Sequence, residues 1–309
     1  MTELARLLLR RVLGIAVLAW VTTAVTFALL RVGIPNPGID AAVSQQLGPG
    51  QPATVQYAHY LEHLLHGNLG QSLTQPVSVD TILRQSLPPT ISLLTGGMVL
   101  WLAAGIATGT VSALRPGSWT DRIVTGGALA AVSAPAFMVA LLLLAVFAHL
   151  ARHGNLWLQP GYVGITLSPG QWLGRMILPW LAVAAGQAGV TARLTRTGIL
   201  EILGDDYIRT ARAKGLTGRR ILWLHVLRAA LLPVVSSIGV GFGVILGSAA
   251  VIDEVFALGG LGQAFLTASK SGDLLVVTGV TLAAVILVSV VSLIADLGYA
   301  LLSPRTRVG

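Results

Sequence analysis

The sequence predicts an all-α, polytopic membrane protein with six transmembrane helices, both termini cytoplasmic, and a charged cytoplasmic helical segment between helices 4 and 5. Three observations predict this. The 309 residues are 54% hydrophobic and only 10% charged, with a mean hydropathy of +0.79, against about 25% charged residues in soluble domains. Six apolar segments approach the roughly 20 residues a helix needs to cross a ~30 Å hydrocarbon core. Basic residues also alternate in density along the chain, as the positive-inside rule requires.

Residues 1–11 read as an amphipathic cytoplasmic segment, because the leucines and arginines from Leu4 to Arg11 suit a short helix at the membrane surface. The first span covers 12–30; its length and the exit RVGIPNPGID argue for a retained helix over a cleaved signal. An external loop follows over 31–90, rich in Pro, Gly, Asn and Gln. Within it His59, His63 and His66 stand at i, i+4 and i+7, a stripe that suits either a transition metal or a water-facing amphipathic helix.

Pro88 and Pro89 are expected at the start of the second span, 91–114, since proline is tolerated there and not within a helix. The third span, 123–150, contains Pro135 and is expected to kink. A second external loop, 151–176, leads to the fourth span, 177–199. The fifth span, 231–252, carries Gly239, Gly243 and Gly247 at i, i+4 and i+8, near Ser236. Such a stripe suits close helix packing or room for a pathway. Residues 253–274 read as an external loop beginning with Asp253 and Glu254, and the sixth span is 275–302; 91–302 form the core domain.

In this arrangement Arg6, Arg10, Arg11, Arg115, Arg122, Arg193, Arg196, Arg209, Arg212, Lys214, Arg219, Arg220, Arg228, Arg305 and Arg307 are inside. Arg31, Arg84, Arg152, Arg175 and Lys270 are outside. That split, 15 of 20 basic residues inside, orients the chain. The net charge of +8 therefore reflects topology, and nucleic acid is excluded as a partner because no soluble basic face exists.

The segment 204–230 is cytoplasmic on this count. Asp205 or Asp206 can cap a first short helix, Gly215 suits a left-handed C-terminal turn, and Thr217 can cap a second. Ile221, Leu222, Leu224, Val226 and Leu227 supply an apolar face for packing under the membrane helices. A topology-only loop needs neither caps nor such a face, so a docking knob for another protein is expected.

Catalytic chemistry is absent from the pattern. There is no cysteine, no HExxH and no GxSxG, and neither Lys214 nor Lys270 follows a phosphate-loop glycine. Asp296 is the one clear carboxylate within a span and is read as structural. No enzyme activity, metal or bound cofactor is expected in this chain.

YIRTARAKGL followed by RAALLPVV resembles the cytoplasmic signature loop of binding-protein-dependent ABC importer permeases, specifically the dipeptide, oligopeptide and nickel group. Further matches are GNLGQSL, PGSWTDR, SAPAF, DEVFALGGLGQ and DLGYALLSPRTR. Against the wider importer signature, Ala211 and Gly215 match, Arg209 and Thr210 replace its opening Glu-Ala, and Pro233 lies five residues beyond its proline position at Arg228.

The resemblance implies an inner-membrane permease subunit for di- or oligopeptides, with nickel complexes or haem as other cargoes. Its implied partners are a second homologous permease, two ABC ATPases that use ATP and Mg, an external substrate-binding protein and membrane lipid. Arg209, Thr210, Ala211, Arg212, Ala213, Lys214, Gly215 and Leu216 are the expected ATPase-coupling residues. Ser236, Gly239, Gly243, Gly247 and Pro135 are candidates for the pathway or its packing, and Asp253 and Glu254 for an external gate. A secondary transporter or channel is the rival class, but it would normally show intramembrane ion pairs or repeats.

Overall fold

The computed structural model describes residues 3–32, 52–152 and 159–302; the mid-part of the first loop, part of the second and the C-terminal tail lie outside the described residues. The described residues are helical apart from turns and one isolated bridge, Gln71 to Ser78. The helices are α1 Glu3–Val32, α2 Ala53–Leu65, α3 Val79–Leu114, α4 Trp119–Ser133, α5 Ala136–Arg152 and α6 Pro169–Leu203. Then come α7 Asp206–Ala213, α8 Gly218–Ile221, a π-helical turn Leu222–Val226, α9 Leu227–Ala230, α10 Leu232–Phe256, α11 Leu261–Ser271 and α12 Leu274–Leu302.

Five helices, α1, α3, α6, α10 and α12, contain stretches long and apolar enough to cross a membrane. A sixth crossing results if α4 and α5 count as one broken span. The kink expected at Pro135 is a full break: Ala134 is extended and the two helices diverge by 106°. The residue before a proline is pushed out of the helical region, and the proline ring removes one donor.

Pro88 and Pro89 are the clearest departure from expectation, since they lie inside α3 and not at its start. The helix begins at Val79 because Ser78 accepts from the Thr81 N–H and Asp80 occupies the first turn, paired with Arg84 at 2.9 Å. The prolines free the carbonyls of Arg84 and Gln85, and both residues are exposed, so water can satisfy them. The expected loop at 253–274 is likewise helical over α11, for a reason given below.

The central core joins Leu93, Leu94 and Trp101 of α3, Met176, Trp180 and Val183 of α6, and Phe242, Ile245 and Ile252 of α10. Its closest seam is α3 on α6. Gly97, Gly105 and Gly109 share one face of α3 with Trp101; a Cβ on Gly97 would lie 2.7 Å from Val183 and one on Gly105 2.6 Å from Thr191. Trp101 donates to Thr191 Oγ1 at 2.5 Å, and its ring occupies the space that Gly241 of α10 leaves open.

Two smaller clusters cover the ends. At one end Phe27 of α1, Tyr60 of α2, Val79 of α3, Leu261 of α11 and Leu275 of α12 pack together. There buried Asp273 accepts from Ser72 Oγ, from Leu73 N–H at 3.0 Å and from Thr74 Oγ1 at 3.2 Å, which pins the GNLGQSL segment against the α11–α12 turn. At the other end Ala113 of α3 and Ile199 of α6 meet Ile208, Ile221 and Leu227. Helix directions place the start of α1 and the end of α12 at this second end.

Also at the second end, buried Asp121 accepts from Arg196 Nε at 2.7 Å and Nη2 at 2.9 Å, from Ser112 Oγ and from Gly117 N–H at 2.8 Å. This joins the α3–α4 turn to α6. The PGSWTDR sequence is therefore a joint, with Gly117 at φ +76° making the reversal.

Glycine-to-leucine substitution at Gly105 should force the α3–α6 seam apart, an overpacking cost of about 1–3 kcal/mol or more. The expected result is a lowered Tm and a poor yield of detergent-extracted protein. Gly126→Ala, at a site with open space, should leave both unchanged.

Candidate docking element and the cavity at helix α10

The segment between α6 and α10 folds as two helical pieces around a left-handed turn. Asp205 and Thr217 sit at the two N-cap positions, as expected, although neither side chain bonds the backbone there. Gly215 adopts φ +79°, its N–H donating to Arg212 O at 2.9 Å, and Leu216 N–H reaches Ala211 O at 3.3 Å. Partial burial, then the Asp205 carboxylate, push the Tyr207 hydroxyl above its ordinary pKa.

Ile208 and Ala211 are buried against Ile199, Ile221 and Val226, so α7 is fastened to the ends of α6 and of the following piece. Arg209, Thr210, Arg212, Ala213, Lys214 and Gly215 are exposed, while Leu216 is half-buried. Of the eight residues singled out for docking, Ala211 thus faces inward and six present an open surface. Arg209 pairs loosely with Asp206 at 3.4 Å, and Thr210 Oγ1 donates to Asp206 O at 3.1 Å.

The apolar face expected on the second piece is only partly realised. Ile221, Val226 and Leu227 are buried, but Leu224 is exposed beside Trp223. The π turn at Leu222–Val226 has more residues per turn than an α-helix, which shifts the buried register and turns Leu224 outward.

The glycine stripe of α10 divides between the two roles weighed for it. Gly239 is a packing residue, since a Cβ there would meet Ser292 Oγ of α12 at 2.8 Å. Gly243 and Gly247 have nothing within 4 Å and line a cavity of about 380 Å³ with Thr90, Leu93, Asp253 and Phe265. Ser236 is exposed and donates to Pro233 O at 2.9 Å. Pro135 is exposed at the α4–α5 break, away from this cavity.

Asp253 and Glu254 lie in the last turn of α10, before the left-handed Ala257 at φ 51°. Asp253 is buried and accepts from Gly260 N–H at 2.9 Å and Gln263 N–H at 2.8 Å; Thr90 Oγ1 accepts from Leu261 N–H at 2.7 Å. These acceptors satisfy the free donors at the start of α11 and explain its helicity. Glu254 is exposed, 3.9 Å from Lys270. Thr90, Leu93 and Phe265 were not legible as cavity residues, because Thr90 and Leu93 of α3 and Phe265 of α11 meet α10 only in the folded chain.

His59 and His63 are exposed on α2, and His66 Nδ1 lies 2.8 Å from Glu62 O. Among the described residues no group of three or more His, Cys, Asp or Glu side chains could hold a metal ion, so the three histidines do not converge.

A bundle of membrane-length helices, a charged two-helix element fastened to one end and a mostly apolar cavity against a central helix define a membrane permease. Residues 105–308 match the family described as binding-protein-dependent transport system inner membrane component. The chain belongs to that family, and is thus an inner-membrane, multi-pass protein.

It is 32% identical over 313 residues to a probable peptide ABC transporter permease of Sinorhizobium fredii, covering 97% of this chain and 98% of that one. A putative peptide transport system permease of Brucella abortus is 35% identical over 315 residues, with the same coverage. The dipeptide transport system permease of Bacillus subtilis is 32% identical over 316 residues, covering 98% of each. In fold, the chain is similar to inward-facing MetNI methionine ABC transporter structures, with TM-scores of 0.55 and 0.57 at 20% and 21% identity. Each match covers 72% of this chain and 96% of the other.

Replacing Asp253 by alanine should leave the Gly260 and Gln263 N–H groups at the start of α11 without their acceptor. Amides of Leu261 to Ala264 are then expected to exchange with solvent about fivefold faster, a cap loss of about 1 kcal/mol. Hydrogen exchange read by mass spectrometry checks this.

Proposed function

We propose that the chain is the permease subunit of an ATP-driven importer of di- or oligopeptides, with six crossings and both termini cytoplasmic. The observation that carries this reading is the exposed α7–Gly215 surface mounted on α6, in a chain similar along nearly its whole length to proteins named as peptide permeases.

In this reading two separate ABC ATPases, which use ATP and Mg, dock on Arg209, Thr210, Arg212, Ala213, Lys214, Gly215 and Leu216. Ala211 holds the element from within. ATPase closure moves α7, and its buried contacts with α6 and the π turn pass the displacement to the spans. A second homologous permease completes the pathway, and an external binding protein delivers the peptide. Gly243 and Gly247 leave the pathway open, while Asp253 and Glu254 stand at its external mouth. The sparse polar lining suits a path that tolerates varied side chains.

Family membership does not favour the ATPase-independent alternative. Nickel complexes and haem draw no support from the histidines of α2, which do not form a metal set among the described residues.

Purified with its neighbouring subunits in proteoliposomes, the chain is expected to take up labelled dipeptide only with ATP and only with an active ATPase. Uptake that survives a hydrolysis-dead ATPase would overturn the proposal. Gly215→Val puts a β-branched residue at φ +79°, a strain of about 1–3 kcal/mol, with no steric clash at that site. Uptake should fall at least tenfold while membrane insertion persists.

A further inference from the structure

The end of the bundle that carries α7 also presents two exposed tryptophans that neither docking nor the α10 cavity uses. Trp119, the first residue of α4, is 77% exposed, and the Arg122 guanidinium lies 5.8 Å from its ring centroid. Trp223, in the π turn, is 72% exposed beside exposed Leu224. Exposed Arg115 and Ile123 flank the first, and exposed Arg220 and Arg228, three and five residues away, flank the second.

Their height relative to the spans follows from what lies behind them. Val226, Leu227 and Ala230 are buried in the cluster that includes Ile199 of α6. A Cβ on Gly198 would come within 3.0 Å of Ala230 O. Gly198 is five residues from the end of α6, about 8 Å along the axis. The opposite face, with Trp223 and Leu224, therefore lies beside the last turns of α6, the helix whose apolar run ends near Ile199. Trp119 likewise opens the apolar α4. Among the residues whose side chains are described, the exposed carboxylates at this end, Glu201, Asp205 and Asp206, belong to the α6–α7 side.

An indole has an apolar body and one N–H donor, and it favours the boundary between hydrocarbon and water. Arginines beside a span attract anionic headgroups, and their guanidinium forks match phosphate oxygens. We propose that Trp119 and Trp223, with Arg115, Arg122, Arg220 and Arg228, form a binding belt for anionic phospholipid headgroups. The belt holds the α3–α4 turn and the π turn at the bilayer margin. A protein partner covering Trp223 would match the aromatic residue equally well, but it would not account for the same pairing at Trp119.

The test uses the whole transporter in nanodiscs of phosphatidylcholine with or without phosphatidylglycerol. In a Trp20→Phe background, which removes the exposed indole of α1, brominated phosphatidylglycerol should quench tryptophan fluorescence, and Trp119→Phe with Trp223→Phe should remove most of that quenching although four of the seven tryptophans remain. Native mass spectrometry should show phosphatidylglycerol retained by the wild-type complex. Retention should weaken roughly fivefold for each of Arg115, Arg122, Arg220 and Arg228 changed to Gln, and Arg→Lys at the same four positions should restore most of it.

Quenching unchanged by the Trp→Phe pair, or lipid retention unchanged by the Gln variant, overturns the proposal. So does loss of the ATPase subunits from the Gln variant with lipid retention intact, which would assign the belt to a protein contact.

Discussion

The seam between α3 and α6 is the contact on which the rest of the molecule depends. Inside a bilayer, apolar side chains gain little by leaving lipid for one another, so helices associate through close van der Waals approach and shared hydrogen bonds. Gly97, Gly105 and Gly109 allow that approach, and the Trp101 to Thr191 hydrogen bond adds a directional tie. Because the same indole fills the space beside Gly241, the position of α10 follows from this seam. The cavity at Gly243 and Gly247 is thus set by residues that do not line it.

Three buried carboxylates perform comparable work at the chain reversals. Asp121 joins the α3–α4 turn to Arg196, Asp253 supports the start of α11, and Asp273 holds the segment after α2. A buried charge is costly unless its lone pairs are used, and each of these is surrounded by N–H or hydroxyl donors. Among the described residues, Asp121 is bonded to an arginine, whereas Asp253 and Asp273 are held by N–H and hydroxyl donors. The arrangement concentrates polarity at the helix ends and leaves the middle of the bundle to glycine, alanine and branched apolar residues.

Much of this was legible because the signals are local. Apolar run length gave the helical spans, and Gly215 announced its left-handed turn through the residues around it. What escaped depended on relations between distant segments. The start of α3 lay in Ser78 and Asp80, whereas Pro88 and Pro89 drew attention to a false boundary; their lost donors matter little where the freed carbonyls meet water. The π turn has no compositional mark, so Leu224 was counted with the buried face. Gly239, Gly243 and Gly247 look equivalent in sequence, and only the position of Ser292 separates packing from open space. The helicity of α11 depends on Thr90, 171 positions earlier in the chain.

The 36 residues of α3 make a rod about 54 Å long, well beyond the roughly 30 Å of hydrocarbon it has to cross. One end shares a cluster with α7, and the other carries contacts to α2, α11 and the start of α12. Such a rod is a lever. If it pivots near the α7 end by about ten degrees, its far tip sweeps roughly 9 Å, the width of a helix. A small rotation at the α7 end is thereby magnified into a displacement large enough to uncover or close a doorway at the other end of the bundle.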